Sequence, residues 1–291
     1  MSIPPEVLKK VKLLELSTKK LVNEVFSGEY NSALKGQGMT FSEFREYVPG
    51  DDVRDISWPL TARTGKPYIK KYDEEREMMV MLVVDVSGSN DFGSKQYLKG
   101  EVINHLAAIL GYAAKKNNDP VGLLLFSDQV ELYLPPKKGQ GQVHRIIQEL
   151  YYFKPRSKKT NLAPAIDHLL KVLKKRAHLF IFSDFIMPNF SAGLKLLGAK
   201  HDAIAIHIQD PSEQELPSCG LLDVVDAETG ETVTVNTSSQ YFKDTQKQKM
   251  QEKFETVKQN LRLSQIDIIP VKVGSDIVAP LITFFKRRSR R

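Results

Sequence analysis

Apolar residues in this chain fall into short continuous runs that alternate with longer stretches at helical spacing. The run 78–84 is continuously apolar and rich in Val and Met, too short to cross a bilayer and typical of a strand covered on both faces. Next come a helical pattern over about 95–116 and a strand at 121–126. Ser127-Asp128-Gln129 is short enough for a hairpin into an antiparallel edge strand at 130–134, which Pro135 and Pro136 are expected to end. Helices at about 142–152 and 162–175 lead to a strand at 178–183, and a helix near 192–197 leads to a strand at 202–208. The segments 221–226 and 232–235 flank Ala227 to Glu231 as a small inserted hairpin, before a long helix over about 240–263, a sixth strand at 266–271 and a last helix near 277–285.

This alternation predicts an α/β fold: a doubly wound, mostly parallel six-stranded sheet in 3-2-1-4-5-6 order, with one antiparallel edge strand. Ahead of it, 1–77 reads as an N-terminal α+β extension of helix and loop packing on the core. It begins with an amphipathic helix in which Val7, Leu8, Val11, Leu14, Leu21, Val22 and Val25 recur between lysines. The α/β domain spans 78–285, with the hairpin inserted near 221–236, and 286–291 form a basic tail.

The first strand ends in Asp85-Val86-Ser87-Gly88-Ser89, one carboxylate and two hydroxyls at alternate positions. These hard oxygens converge just beyond the strand ends, where open α/β sheets bind ligands, and would suit a small hard cation. Mg²⁺ asks for more oxygens than one short loop supplies. Two later segments can contribute them: Thr160, at the start of a helical pattern, and Asp184, at the end of the second buried strand. In the expected order the strands ending at Asp85 and Asp184 are neighbours at the point where the winding reverses, so both carboxylates face one crevice. A plainer reading makes Asp85 and Asp184 polar strand ends and Ser87-Gly88-Ser89 an ordinary turn. The presence of all five positions favours the metal site.

The series Asp85, Ser87, Ser89, Thr160, Asp184 resembles the metal-ion-dependent adhesion site of von Willebrand factor A domains. That resemblance implies that the two serines and either the threonine or the second aspartate contact the metal, often through water. A carboxylate from a partner protein completes the sphere. The segment 41–65, with Arg45-Glu46-Tyr47, Pro49-Gly50-Asp51-Asp52, Arg54, Trp58 and Ala62-Arg63-Thr64-Gly65, is similar to the domain-of-unknown-function fifty-eight family, and the similarity covers nearly the whole chain. Ser57 departs from the family, which commonly has Asp before the tryptophan, as does Pro59-Leu60 after it. On physical grounds Pro49-Gly50 is a turn, Asp51, Asp52, Arg54 and Asp55 can form a local ion-pair network, and Trp58 is expected to anchor the segment by burial.

Composition narrows the function. With 41% hydrophobic residues the chain can bury a sizeable core, and the single Cys219 excludes an internal disulfide framework and any cysteine-based zinc site, as suits a reducing cytoplasm. No apolar stretch is long enough to span a bilayer and 1–20 lack a signal peptide's apolar centre, so a cytoplasmic location is expected. Of the net charge of +7, five units sit in the last six residues; without them 37 basic face 35 acidic residues, so tail solvation explains the excess better than nucleic-acid binding. A second basic cluster, Lys154, Arg156, Lys158 and Lys159, immediately precedes Thr160 and could steer an acidic ligand, or simply solvate a loop.

The chain has no phosphate-binding Gly-x-x-x-x-Gly-Lys-Ser/Thr loop, no His-Glu-x-x-His pair and no Gly-x-Ser-x-Gly elbow. The enzyme alternative is a Mg²⁺-dependent phosphotransferase or phosphatase with Asp85 as nucleophile. It lacks the second carboxylate two residues on, where Ser87 stands, a poor proton donor at neutral pH. The expectation is a non-enzymatic, metal-dependent protein-binding module holding Mg²⁺, or Mn²⁺ in its place, through Asp85, Ser87, Ser89, Thr160 and Asp184. The family resemblance implies a MoxR-type AAA+ ATPase as partner.

Overall fold

The structure, a computed structural model, describes residues 30, 38–75, 78–91, 98–187, 191–214, 218–225 and 232–290. The expected N-terminal amphipathic helix, the start of the helix expected from 95 and the turn of the inserted hairpin lie outside the described residues. The chain divides into two compact units, Lys35–Met78 and the remainder.

In the smaller unit, β1 (Gly38–Glu46) and β2 (Tyr68–Glu75) form an antiparallel pair, with α1 (Trp58–Thr64) between them in sequence. Pro49-Gly50 is a turn: Gly50 takes φ of +114°, a region open to glycine, and Asp51 N donates to Val48 O at 3.0 Å. Two expectations change here. Asp51, held in the turn by the Val48 N–H at 2.9 Å, pairs with Arg45 at 2.7 Å, and Asp52 accepts the Arg54 backbone N–H at 2.9 Å. Trp58 is 68% exposed, so it does not anchor the segment by burial; it opens α1, with Pro59 following at the start of the helix.

The larger unit holds a six-stranded sheet: β3 (Val80–Asp85), β4 (Val121–Phe126), β5 (Val130–Lys137), β6 (His178–Ser183), β7 (Asp202–Gln209) and, last in chain order, β10 (Asp267–Lys272). The order across the sheet is β5-β4-β3-β6-β7-β10, all parallel except the β4–β5 pair. This is the 3-2-1-4-5-6 winding expected from the sequence. Every residue of β3 and β4 is buried, as a strand covered on both faces requires.

The layers are supplied by α2 (Lys99–Lys116), α3 (Gln140–Tyr152), α4 (Ala163–Val172), α5 (Ser191–Lys200), the one-turn α6 (Pro211–Gln214), α7 (Gln240–Leu263) and α8 (Ala279–Ser289). On one side Leu162, Ile166 and Leu169 meet Met81, Val83, Leu179 and Ile181 in a single apolar cluster that also takes in Leu194, Leu197 and Leu261. A Cβ on Gly198 would meet Ser264 O at 2.0 Å, so α5 can lie against the end of α7 only because position 198 has no side chain.

Two further expectations are revised, and the inserted hairpin is found as expected. Strand β5 runs through Pro135 and Pro136 to Lys137, because an edge strand tolerates proline, and Pro135 O accepts from Gln142 Nε2 at 3.1 Å. The hairpin, β8 (Leu221–Val225) paired antiparallel with β9 (Thr232–Asn236), forms its own two-stranded sheet. Residues 286–289, expected in a solvated tail, continue α8, and Arg288 Nη2 lies 2.5 Å from Asp202 Oδ2 and Nη1 3.6 Å from Asp267 Oδ2. Tyr30, fully buried, packs its ring 5.9 Å from that of Phe285 on the same helix.

Candidate metal centre

Strands β3 and β6 are adjacent, and the winding reverses between them. Their C-terminal ends deliver Asp85 and Asp184 to one place. Asp85 is 2% exposed; its Oδ1 accepts the Ser87 backbone N–H at 2.9 Å and its Oδ2 accepts the Ser183 hydroxyl at 2.8 Å. The first bond folds the chain into a short 3-10 turn, Gly88–Asp91, that brings the Ser87 and Ser89 hydroxyl oxygens within 3.2 Å.

The Asp184 side is fixed by a sharp backbone reversal. Phe185, fully buried, adopts φ of +55°, unusual for a bulky residue and a mark of a conformation imposed by its surroundings. Its N–H donates to Ser183 Oγ at 2.9 Å, and Ile186 N donates to Asp184 Oδ1 at 3.1 Å. Ser183 thus ties the β6 turn to Asp85.

Thr160, half-buried, lies on a loop held to the same end of the sheet at two points. Gly88 N donates to Lys158 O at 2.9 Å and Asn161 N to Ser127 O at 3.0 Å. The loop's approach is set by Glu131 Oε1, which accepts from the backbone of Arg156 and Ser157 at 3.1 and 3.3 Å and from the Ser127 hydroxyl at 2.7 Å. Its basic side chains, Lys154, Arg156, Lys158 and Lys159, are exposed at the border of the Ser87–Ser89 turn.

The electrostatics are those of two carboxylates sharing a dry site. Burial, together with the charge of Asp184, pushes the Asp85 carboxyl up to about 6 despite the hydrogen bonds from Ser87 and Ser183. His207, stacked on Phe254 with ring centroids 5.2 Å apart, is pushed down to about 4 by burial and stays neutral beside Asp184.

Three residues here carried no assignment from the sequence: Ser183, Lys99 and Glu213. Lys99 is fully buried at the first position of α2, with Nζ 3.2 Å from Asp184 Oδ2 and a second ion pair to Glu213. Burial alone would push its pKa down, but the two carboxylates outweigh this and hold it above the ordinary lysine value. Glu213 is itself pinned, because Asp210-Pro211-Ser212-Glu213 caps α6: Asp210 Oδ1 accepts Ser212 N at 2.8 Å and Glu213 Oε2 accepts Asp210 N at 3.3 Å. That cap was readable as a helix-start signal. The pairing was not, since Lys99 stands 85 and 114 residues from its two partners.

The donor set fits a small hard divalent cation. Neighbouring ligands on octahedral Mg²⁺ stand about 2.9 Å apart, close to the 3.2 Å between the two serine oxygens. The carboxylates of Asp85, Asp184 and Glu213 less the Lys99 ammonium leave two negative charges, which a divalent ion would neutralise. Among the described residues no group of three or more His, Cys, Asp or Glu is placed to hold a metal.

Comparison with known proteins identifies the family. The family described as "Protein of unknown function DUF58" matches residues 43–256. The chain is 31% identical over 229 residues to an uncharacterized protein of Mycobacterium bovis, covering 78% of this chain and 72% of that protein. Among solved structures it is similar to the conserved hypothetical protein BatB from Bacteroides thetaiotaomicron, at 12% identity and a TM-score of 0.46 over 74% of this chain and 100% of that one. It is also similar to the SpRpn10 VWA domain, at 13% identity and a TM-score of 0.41 over 70% and 93%. Both are distant, and the fold stands on the sheet order itself. Among the described residues no helix is long and apolar enough to cross a membrane.

Proposed function

The chain belongs to the DUF58 family, and on that premise we propose that it is a metal-dependent protein-interaction module whose site is the C-terminal end of β3 and β6. The observation that carries the reading is the convergence of Asp85, Ser87, Ser89 and Asp184 at the reversal of the winding, with the Thr160 loop fastened beside them. Asp85, Ser87 and Ser89 would hold the metal, with Thr160 and Asp184 contributing directly or through water. When bound, Mg²⁺ or Mn²⁺ supplies an electrophilic centre that an acidic side chain of the partner can ligate.

The exposed lysines and arginine at 154–159 suit the same partner, raising the rate at which an acidic surface finds the site and making that rate salt-dependent. Family resemblance suggests a MoxR-type AAA+ ATPase in the cytoplasm as that partner. The binding reading is preferred to an aspartyl-phosphate enzyme because Asp85 is buried with both oxygens accepting hydrogen bonds, and Ser87 occupies the position of the acid/base group.

The test is a pull-down from native lysate with wild-type and Asp184→Ala baits, each in Mg²⁺ or EDTA, read by mass spectrometry. Recovery of an AAA+ ATPase only with the intact site and Mg²⁺ is expected. Equal recovery in all four conditions would contradict the proposal.

A further inference from the structure

Lys99 is placed against the preferences of its own helix. It is the first residue of α2, where the positive end of the helix dipole disfavours a cation, while Glu101 Oε2, at 3.3 Å from Leu98 N, supplies the carboxylate that such a terminus prefers. Its ammonium is also wholly withdrawn from water. A buried charge persists only where partners compensate it, and both partners belong to the C-terminal end of the sheet: Asp184 at the site and Glu213 on α6. One of them, Asp184 Oδ2, is an oxygen that a bound metal would draw upon.

We propose that the Lys99 ammonium is a cation built into the site: it competes with a divalent metal for Asp184 and, when metal binds, is handed over to Glu213. This rests on the metal reading above and adds its regulation. Glu213 is a suitable receiver because the α6 cap fixes its position independently of Lys99. It also lines, with Asp184, His207 and Asp210, a cleft of about 30 Å³ that leaves room for the carboxylates to rearrange. The consequence is a site whose metal affinity depends on α6, so that a partner touching α6 would change metal occupancy without touching the metal.

The test is Mn²⁺ affinity, measured by isothermal titration calorimetry on the full chain, for wild type, Lys99→Gln, Glu213→Gln and the double variant, with Asp85→Asn as the control. Lys99→Gln is expected to bind Mn²⁺ at least about tenfold more tightly, because a unit charge next to a divalent ion is removed from a poorly screened site. Glu213→Gln is expected to weaken binding several-fold, since Lys99 then has Asp184 alone. In the Lys99→Gln background that weakening should largely vanish, the signature of coupling. The double variant also covers the case in which Lys99→Gln, stranding two carboxylates, fails to fold. Unchanged or weaker binding by Lys99→Gln would overturn the proposal, as would fully additive effects of the two substitutions, which would reduce them to simple electrostatics. If Mn²⁺ binds and Asp85→Asn abolishes it while Lys99→Gln changes nothing, the metal reading stands and only the competition falls. If no variant shows binding that depends on Asp85, both fall.

Discussion

At the N-terminal end of the sheet, Asp202 sits between His178 Nδ1 at 2.7 Å and Arg288 Nη2 at 2.5 Å; at the C-terminal end, Asp85 sits beside another carboxylate and accepts from the Ser87 N–H and the Ser183 hydroxyl. Asp202, partly buried, and Asp85, buried, both stand at strand termini of one sheet, yet desolvation is overcome in the first case and not in the second. Burial would raise Asp202, but the hydrogen bonds of His178 and Arg288 outweigh it and pull the carboxyl down to about 2. Asp85 is driven up to about 6. One end pairs its carboxylate with cations, and the other carries the raised carboxylate on which the proposed metal site rests.

The largest effect that would sharpen this contrast is at the stabilising end. Asp202→Ala leaves the Arg288 guanidinium partly buried without its main carboxylate and should lower unfolding free energy by about 3–5 kcal/mol, measured by urea denaturation at pH 7. A loss below about 1 kcal/mol would place the pair with ordinary exposed ion pairs and dissolve the contrast.

The two ends should also titrate in opposite senses. Asp85 has a folded pKa of about 6 against 3.8 unfolded, so the folded state binds more protons between these values. The Asp85 contribution to metal-free stability therefore falls as pH rises from about 4 to about 6, by roughly 2–3 kcal/mol, against the opposite slope that His201 and His207, both pushed down to about 4 by burial, give the same window. Asp85→Asn should remove that decline and leave the protein more stable than wild type in EDTA at pH 7. Asp202 works the other way, its contribution being present above pH 4 and lost as pH falls through about 2. A wild-type stability that does not decline relative to that of Asp85→Asn between pH 4 and 6 would break the account of Asp85.

The smallest stability effect is expected where function should change most. Ser87→Ala with Ser89→Ala removes two hydroxyls, one of them only half-buried, and should shift stability by no more than about 1 kcal/mol. Metal-dependent partner binding in the pull-down should nonetheless disappear. Unfolding of the double variant would assign these hydroxyls to the fold.

Much of this was legible in the chain, because the signals are local. The apolar runs of β3, β4, β6 and β7 are long enough to identify buried parallel strands, and once their order follows, Asp85 and Asp184 must face each other. What was not legible depends on distant pairing. Lys99 is one lysine among many, and nothing near it in sequence signals that it will be buried against residues far along the chain. Ser183 looks like the last residue of a strand until the positive φ at Phe185 turns its hydroxyl toward Asp85. The residues after 285 look like a tail because they are basic, whereas Asp202 and Asp267 at the starts of β7 and β10 give α8 a reason to continue.

The central claim, that the raised carboxylate at the C-terminal end of the sheet awaits a divalent cation, is tested most directly by thermal unfolding of wild type and Asp85→Asn in EDTA and in millimolar Mg²⁺ at pH 7. A ligand that binds only the folded state raises Tm. The account predicts that Mg²⁺ raises the wild-type Tm and leaves that of Asp85→Asn unmoved. Equal shifts in the two proteins, or none in the wild type, would contradict it.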